Sequence, residues 1–519
     1  MLDANLARQS SEMLSVAAYF LRHNYKHHVV IENDDMCYHG LQHALKKRTP
    51  SIAEVEKTSH TCNACRFPFF VCNSLRQSVS QSTKQINREQ VDDALSVIND
   101  IEEKFALYMA HVTRCVNQSH AIAKKEESIK QLCFDSKGKE VHAMFIIDFK
   151  MKFEPLSSRE STVEHFAKRG ITWHGGAIIY YMYKNKKDSR GLNIVDSDGN
   201  EEYCAKKYII YIDQILQGSN KQDGISVLAL LEACVSSLHI QLPFISRLII
   251  QSDNATTYQN GHLVLGIHLL NIKMMNKIFV SEFVHSETQH GKTILDAHFA
   301  SANRHLKNFM LSYKQNRVTR IQTPHGLAFS LLFNSGVKNT MIQLIEFDEQ
   351  KLEQLLTALN PIVRSAKEYF TRVNHIYYEL PQDYIPYNEI HNKLSSISFI
   401  IKVQAFSAID NPVAFNVNIG NNTFEPVDDV NDTLPETGDN DLATTTGDED
   451  VGGASIISST NNNLPTTSKK LDFSFRTRSF HSKHHLQNRT IYDIESSTQD
   501  TQSGGDDYDS LSSGGVRER

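Results

Sequence analysis

The sequence predicts a mixed α/β fold: a sheet flanked by helices, preceded by a Cys/His-rich helical region and followed by a polar tail. Three observations carry that prediction. Residues 140–400 alternate β-branched and aromatic runs with longer helix-like stretches. Residues 85–130 repeat apolar side chains at three- and four-residue spacing or its multiples, through Val91, Leu95, Ile98, Phe105, Val112 and Val116. From near Asp410 onward the chain turns to Asn, Thr, Ser, Asp and Gly, too poor in large apolar residues to offset chain entropy.

Each element follows in order. Val141–Phe153, Gly176–Tyr183 and Tyr203–Ile212 read as three successive strands. Gln222–Ile240 contains VLALLEACVSSL, too long for one strand and suited to a helix. Arg247–Ser252 is a short buried strand ending at Asp253. Gly261–Met275 reads as helix, Lys277–Val284 as strand, and Lys292–Lys314 as a long helix with a basic second half. The expected divisions are a Cys/His-rich region over 1–80, a helical segment over 81–135, the α/β domain over 136–405 and a disordered tail over 406–519. No internal repeat is visible.

Composition bounds the function. The 519 residues are 40% hydrophobic and 22% charged, enough for a sizeable core. No uninterrupted apolar run reaches the ~18 residues of a membrane span. Met13–Leu21 is largely apolar, but Glu12 precedes it and no small-residue cleavage site follows, so no secretory leader is expected. Eight scattered cysteines suit reduced thiols in cytosol or nucleus better than a disulfide framework. Between Glu425 and Asp450 stand ten acids and no Lys or Arg. Without them the net charge of −6 becomes +4, which leaves nucleic acid open as a partner. Lys469–Arg489 is a basic, His-containing island fit for a nuclear localisation or nucleic-acid patch. Neither a Walker A sequence, a G-x-G-x-x-G loop nor a G-x-S-x-G elbow is present.

The chemistry-bearing pattern is acidic. Asp148 follows the apolar run FII, and Asp253 ends RLIIQSD. In open α/β sheets ligands bind outside the carboxyl ends of strands, so two strand-end aspartates can converge. A third carboxylate would come from the element after the last strand: Glu287, which ends that strand region, or Asp296, about one turn into the next helix. Such a set suits Mg²⁺ or Mn²⁺ held by hard oxygens for an in-line phosphoryl displacement. Taken singly, either aspartate also fits an Asx turn or a helix N-cap.

Residues 144–176 (MFIIDFKMKFEPLSSRESTVEHFAKRGITWHGG), 249–260 (IIQSDNATTYQN) and 285–298 (HSETQHGKTILDAH) together resemble the catalytic core of eukaryotic cut-and-paste DNA transposases and the transposon-derived proteins that carry it. The likeness covers about residues 90–400. It implies an RNase H-like fold of the retroviral integrase superfamily and transesterification at DNA phosphodiesters, with Mg²⁺ or Mn²⁺ as cofactor. It implies Asp148 as first acid and Asp253 as second. For the third, Glu287 has a familiar spacing of 34 residues after Asp253, whereas Asp296 has the helical position the fold normally uses, which favours Asp296. Lys150, Lys152, Lys292, Arg304 and Lys307 are candidate backbone-phosphate contacts or else solvated surface charges. Trp173 and His174 fit the core or a stacking role beside DNA. Multimers are common in that superfamily, so a homo-oligomer is a candidate assembly. A transposon-derived factor that has lost catalysis and a stand-alone RNase H-like nuclease are the competing readings.

The N-terminal region holds Cys37, His39, His43, His60, Cys62, Cys65 and Cys72. Cys62-x-x-Cys65 has zinc-knuckle spacing, and Cys37 with His39 or His43 is the best upstream pair to complete a tetrahedral site. No second CxxC is present and Cys72 competes as a ligand, so buried thiols are the other reading. Cys115, Cys133, Cys204 and Cys234 fall in or beside expected helices and strands and read as core. No helix-turn-helix with a basic recognition helix can be read in residues 1–80.

Overall fold

A computed structural model describes residues 4–29, 39–45, 62–81, 87–157, 170–218, 220–274, 277–287, 294–313, 320–370, 373–379, 397–404, 412–427 and 477–479. The Cys37, His60 and Lys292 readings, and most of the expected tail, lie outside these residues.

The expected α/β order is present. Strands β1 (Val141–Phe153), β2 (Ile171–Asn185) and β3 (Tyr203–Leu216) follow one another, then helix, strand, helix, strand and helix. The N-terminal helices are α1 (Ala4–Tyr19) and α2 (Asn63–Gln81), and α3 (Arg88–Asp135) leads into β1. After β3 come α4 (Gly224–Gln241), β4 (Ile245–Asp253), α5 (Gly261–Lys273), β5 (Phe279–Ser286), α6 (Ile294–Tyr313), α7 (Pro324–Leu332), β6 (Thr340–Ile345), β7 (His375–Tyr378), β8 (Ser398–Gln404), β9 (Val413–Asn418) and β10 (Thr423–Pro426). These ten strands form one mixed sheet in the order β10-β9-β8-β7-β5-β4-β1-β2-β3-β6, with Thr477–Ser479 paired outside β6. β2 is antiparallel to β1 and β3, while β4 runs parallel to β1 and β5 parallel to β4.

The strand β1 divides two cores. Ala143, Phe145 and Ile147 face α4 and α5, among Val227, Leu231, Leu263 and Ile267. Met144 faces the other way, onto Ile129 and Cys133 of α3. This is the two-residue alternation of a strand covered on both faces. Asp223 caps α4, its Oδ1 accepting from Ser226 N at 2.8 Å. By length and apolarity α4 alone among the described helices matches a membrane span, and most of it is buried in the fold.

Helix α3 has 48 residues and measures about 72 Å at 1.5 Å per residue. Its middle packs Ala106 and Met109 on Leu21, Tyr25, Cys65 and Phe69, and its end lies on the sheet. The N-terminal helices and the sheet therefore share one rigid strut.

One boundary differs from expectation. The folded chain does not stop at 405, because β9 and β10 extend the sheet to Pro426. Val413, Phe415 and Val417 alternate inward along β9, with Ile419 buried just beyond, and Phe415 stacks on Phe424 at 4.5 Å. The polar residues among them are the solvent half of an alternating strand, which composition alone averages away. Phe415→Ala is expected to destabilise the protein by about 3–5 kcal/mol in chemical denaturation. A loss below about 1 kcal/mol would remove residues 413–426 from the core.

Candidate metal and acid sites

Register brings the two strand aspartates together. The β1–β4 ladder ends at Ile146 opposite Gln251, so Asp148 and Asp253, each two residues further on, emerge level and on the same face. Adjacent strands are about 4.8 Å apart. On the other side of β1, Asp148 stands opposite Gly175, and Gly175 opposite Asp213 of β3. Asp296, in the first turn of α6, completes the group.

The electrostatics are those of crowded acids. Asp148 is pushed up to about 7 by burial and then by the charges of Asp253 and Asp296. Burial likewise raises Asp253, whose Oδ1 accepts from Ala255 N at 3.2 Å in an Asx turn. The Asx turn expected of Asp253 is present, and it leaves the carboxyl on the same face as Asp148. The phenol of Tyr258 is driven up by burial and by Asp148 and Asp253. Its hydroxyl and Asn254 Oδ1 are buried without hydrogen-bond partners among the described residues. Hard oxygens crowded this way, with two further oxygens unsatisfied, suit a divalent cation.

Glu287 takes another role. Its Oε1 accepts from Arg114 Nε at 3.0 Å, and its Oε2 lies 3.5 Å from His111 Nδ1, both on α3. Burial pushes this carboxyl up, but His111 and Arg114 outweigh it and hold it below its usual range. Arg114 Nη1 also donates to Ala44 O at 3.0 Å, so Glu287 helps tie the sheet to the N-terminal region.

The expected phosphate contacts separate by exposure. Lys152, Arg304 and Lys307 are exposed, the last two three residues apart on α6. Lys150 is half-buried, its Nζ 4.3 Å over the ring of Trp173, and burial lowers it to about 8 against the opposing pull of Asp213. Trp173 and His174 are fully buried, which assigns both to the core. His174 Nδ1 meets Gln214 Oε1 at 2.9 Å.

Among the described residues of the N-terminal cluster, His39, Cys62 and Cys65 come together with ligand atoms all within 4.8 Å of one another, a group that could hold a metal ion. The acid group is more open than this, since no other trio among the described residues meets that spacing. His39 Nδ1 and Cys65 Sγ are 3.3 Å apart. Zinc bond lengths of about 2.0 and 2.3 Å at a tetrahedral angle give an N···S edge of roughly 3.6 Å, close to that value. Cys72 is buried outside the group, as are Cys115, Cys133 and Cys234, while Cys204 is half-buried.

Asp213, His298, Tyr258 and Asn254 were not singled out as site residues in the sequence. Asn254 and Tyr258 lie within SDNATTY and His298 within LDAH, whereas Asp213, inside YIIYIDQIL, carries no such signal. The family described as Domain of unknown function (DUF8701) matches residues 125–389, and the chain belongs to that family. No curated protein and no solved structure matches the chain.

The crowding of Asp148 fixes a pH dependence. Its carboxyl is near 3.9 when unfolded and about 7 when folded, so between those pH values the folded state binds the extra proton. Stability therefore falls as pH rises from about 4 to about 7. Without divalent metal, Asp148→Asn is expected to exceed wild type at pH 7.5 by about 1–3 kcal/mol, allowing for screening, and to match it near pH 4. Denaturant titration at the two pH values measures this, and equal stability at pH 7.5 would contradict the crowding.

Proposed function

We propose that this is a transposase-like protein that cleaves DNA phosphodiesters and joins strands, working in the nucleus with Mg²⁺ or Mn²⁺ held by Asp148, Asp253 and Asp296. The observation that carries the reading is the convergence of Asp148 and Asp253 at one level of two parallel strands, with Asp148 raised by burial and then by Asp253 and Asp296. Excess negative charge just beyond the end of the parallel β1–β4 ladder is what a divalent ion would neutralise. Support comes also from topology. The strand order β3-β2-β1-β4-β5, with β2 antiparallel, supports the RNase H-like arrangement that the resemblance to transposase cores implies.

When bound, the ions would activate the attacking water or 3′-hydroxyl and stabilise charge on the leaving oxygen. The chain's own residues do the rest. Asp148 and Asp253 set the acid pair on the rigid sheet, and Asp296 closes it from α6. Asn254 Oδ1 and the Tyr258 hydroxyl offer hydrogen-bonding positions beside it. Arg304, Lys307 and Lys152 present exposed charge for the DNA backbone. Glu287, already paired with Arg114 and close to His111, is a brace in this reading and not the third acid.

A Mn²⁺-dependent nicking and strand-joining assay on plasmid DNA tests the reading. Asp148→Asn, Asp253→Asn and Asp296→Asn are each expected to lower the rate at least 100-fold, and Glu287→Gln to lower it less than tenfold. Cleavage that survives all three aspartate changes would overturn it. DNA binding without cleavage by the wild type would favour a domesticated binding factor.

The zinc reading of the N-terminal cluster belongs with this proposal. His39, Cys62 and Cys65 hold a structural zinc, with Cys37 the candidate fourth ligand, and the ion fastens the Leu41–Ala44 segment and α2 onto α3. Elemental analysis is expected to find one zinc per chain, lost on Cys62→Ser or Cys65→Ser together with a lower Tm. Purified protein free of zinc after metal-supplemented expression would refute it.

A further inference from the structure

Helix α6 is docked on the sheet by a buried polar clamp. Asp213 is fully buried on β3. Its Oδ1 accepts from Trp173 Nε1 at 2.9 Å, and His298 Nε2 donates to its two oxygens at 3.1 and 3.0 Å. The His298 ring stacks on Tyr211 at 4.2 Å, nearly parallel. Beside it, Phe299 presses on the bare backbone of Gly175. A Cβ added there would come within 2.4 Å of the ring, so glycine is what lets the helix sit this close.

A carboxylate buried this deeply is costly unless its hydrogen bonds are made, and both of its partners are ring N–H groups held in place by packing. Trp173 is pinned from above by Lys150 and from the side by Phe299. The row Asp213–Gly175–Asp148 crosses three neighbouring strands at one level. The clamp and the acid site therefore share one line of the sheet. Asp296 lies two residues before His298, in the turn so tied down. A slip of α6 by one residue would rotate that turn by about 100° and carry Asp296 away from Asp148.

We infer that Asp213 and His298 are positioning residues: their buried bond sets the roll and height of α6 and so holds Asp296 over Asp148 and Asp253. This rests on the reading of those three acids as a metal site. It makes β3, the TWHGG segment and the LDAH segment parts of one device: β3 supplies the anchor Asp213, TWHGG the Trp173 donor and the Gly175 seat, and the helix both the tether and the third acid.

The test uses the full chain and Mn²⁺ as the probe, with Kd from electron paramagnetic resonance and folding checked by circular dichroism and Tm. His298→Ala is expected to weaken Mn²⁺ binding at least tenfold. His298→Gln, whose amide N–H can reach Asp213, is expected to restore most of it. The double change with Asp296→Asn is expected to be no weaker than Asp296→Asn alone, because the clamp acts through that carboxylate. Losses that multiply in the double variant, or a His298→Ala protein that binds like wild type, would overturn the inference. Mn²⁺ bound equally well by wild type and Asp148→Asn would instead sink the metal-site reading. Amide hydrogen exchange without metal judges the clamp in that case too. Exchange in the first two turns of α6 must quicken at least tenfold in His298→Ala, and unchanged exchange refutes the clamp.

Discussion

The burial of β1 on both faces is the constraint on which the rest of the fold depends. A strand whose successive residues enter two different cores cannot slip by one position without exchanging those cores. Phe145 and Ile147 are committed to the α4–α5 side and Met144 to the α3 side. That commitment fixes which face Asp148 emerges on, and the parallel ladder to β4 brings Asp253 out beside it. The acid pair is thus a by-product of apolar register: the energy that holds it belongs to Ala143, Phe145, Leu248 and Ile250.

The second level of organisation is the approach of helices to that sheet. Two adjacent glycines serve opposite faces, Gly175 admitting Phe299 of α6 and Gly176 admitting Phe145. Around the first stands the Trp173–Asp213–His298 group, which gives α6 one fixed orientation where apolar packing alone would tolerate several. Glu287 belongs to the same level. Its partners Arg114 and His111 join the end of β5 to α3, and Arg114 carries the connection on to Ala44. The acids near the sheet's carboxyl end therefore divide by their company. Glu287, held by Arg114 and close to His111, braces the structure, whereas Asp148 is raised by burial and by the nearby Asp253 and Asp296.

Much of this was legible in the sequence. The strand and helix order from Val141 to Tyr313 follows from runs long enough to separate strand from helix, and Asp148 and Asp253 could be picked out because apolar runs deliver them. The Cys62–Cys65 pair was visible from spacing alone. What was missed has one physical form. Asp213 lies inside YIIYIDQIL and looks like a strand residue on its way to solvent, yet it is fully buried because His298, 85 residues later, satisfies it. The strand β9 was hidden because its buried residues alternate with Asn, so local composition reads as polar.

The amino-acid sequence determined the elements and the candidate acids, since periodicity and the position of a charge relative to an apolar run are local properties. Only the tertiary structure decided between Glu287 and Asp296 as neighbours of Asp148. That choice is made by an arginine and a histidine on a helix more than 170 residues earlier, and by the depth at which α6 seats on Gly175. Pairings over such distances depend on how helices pack against a sheet, and helix packing is set by the whole core at once.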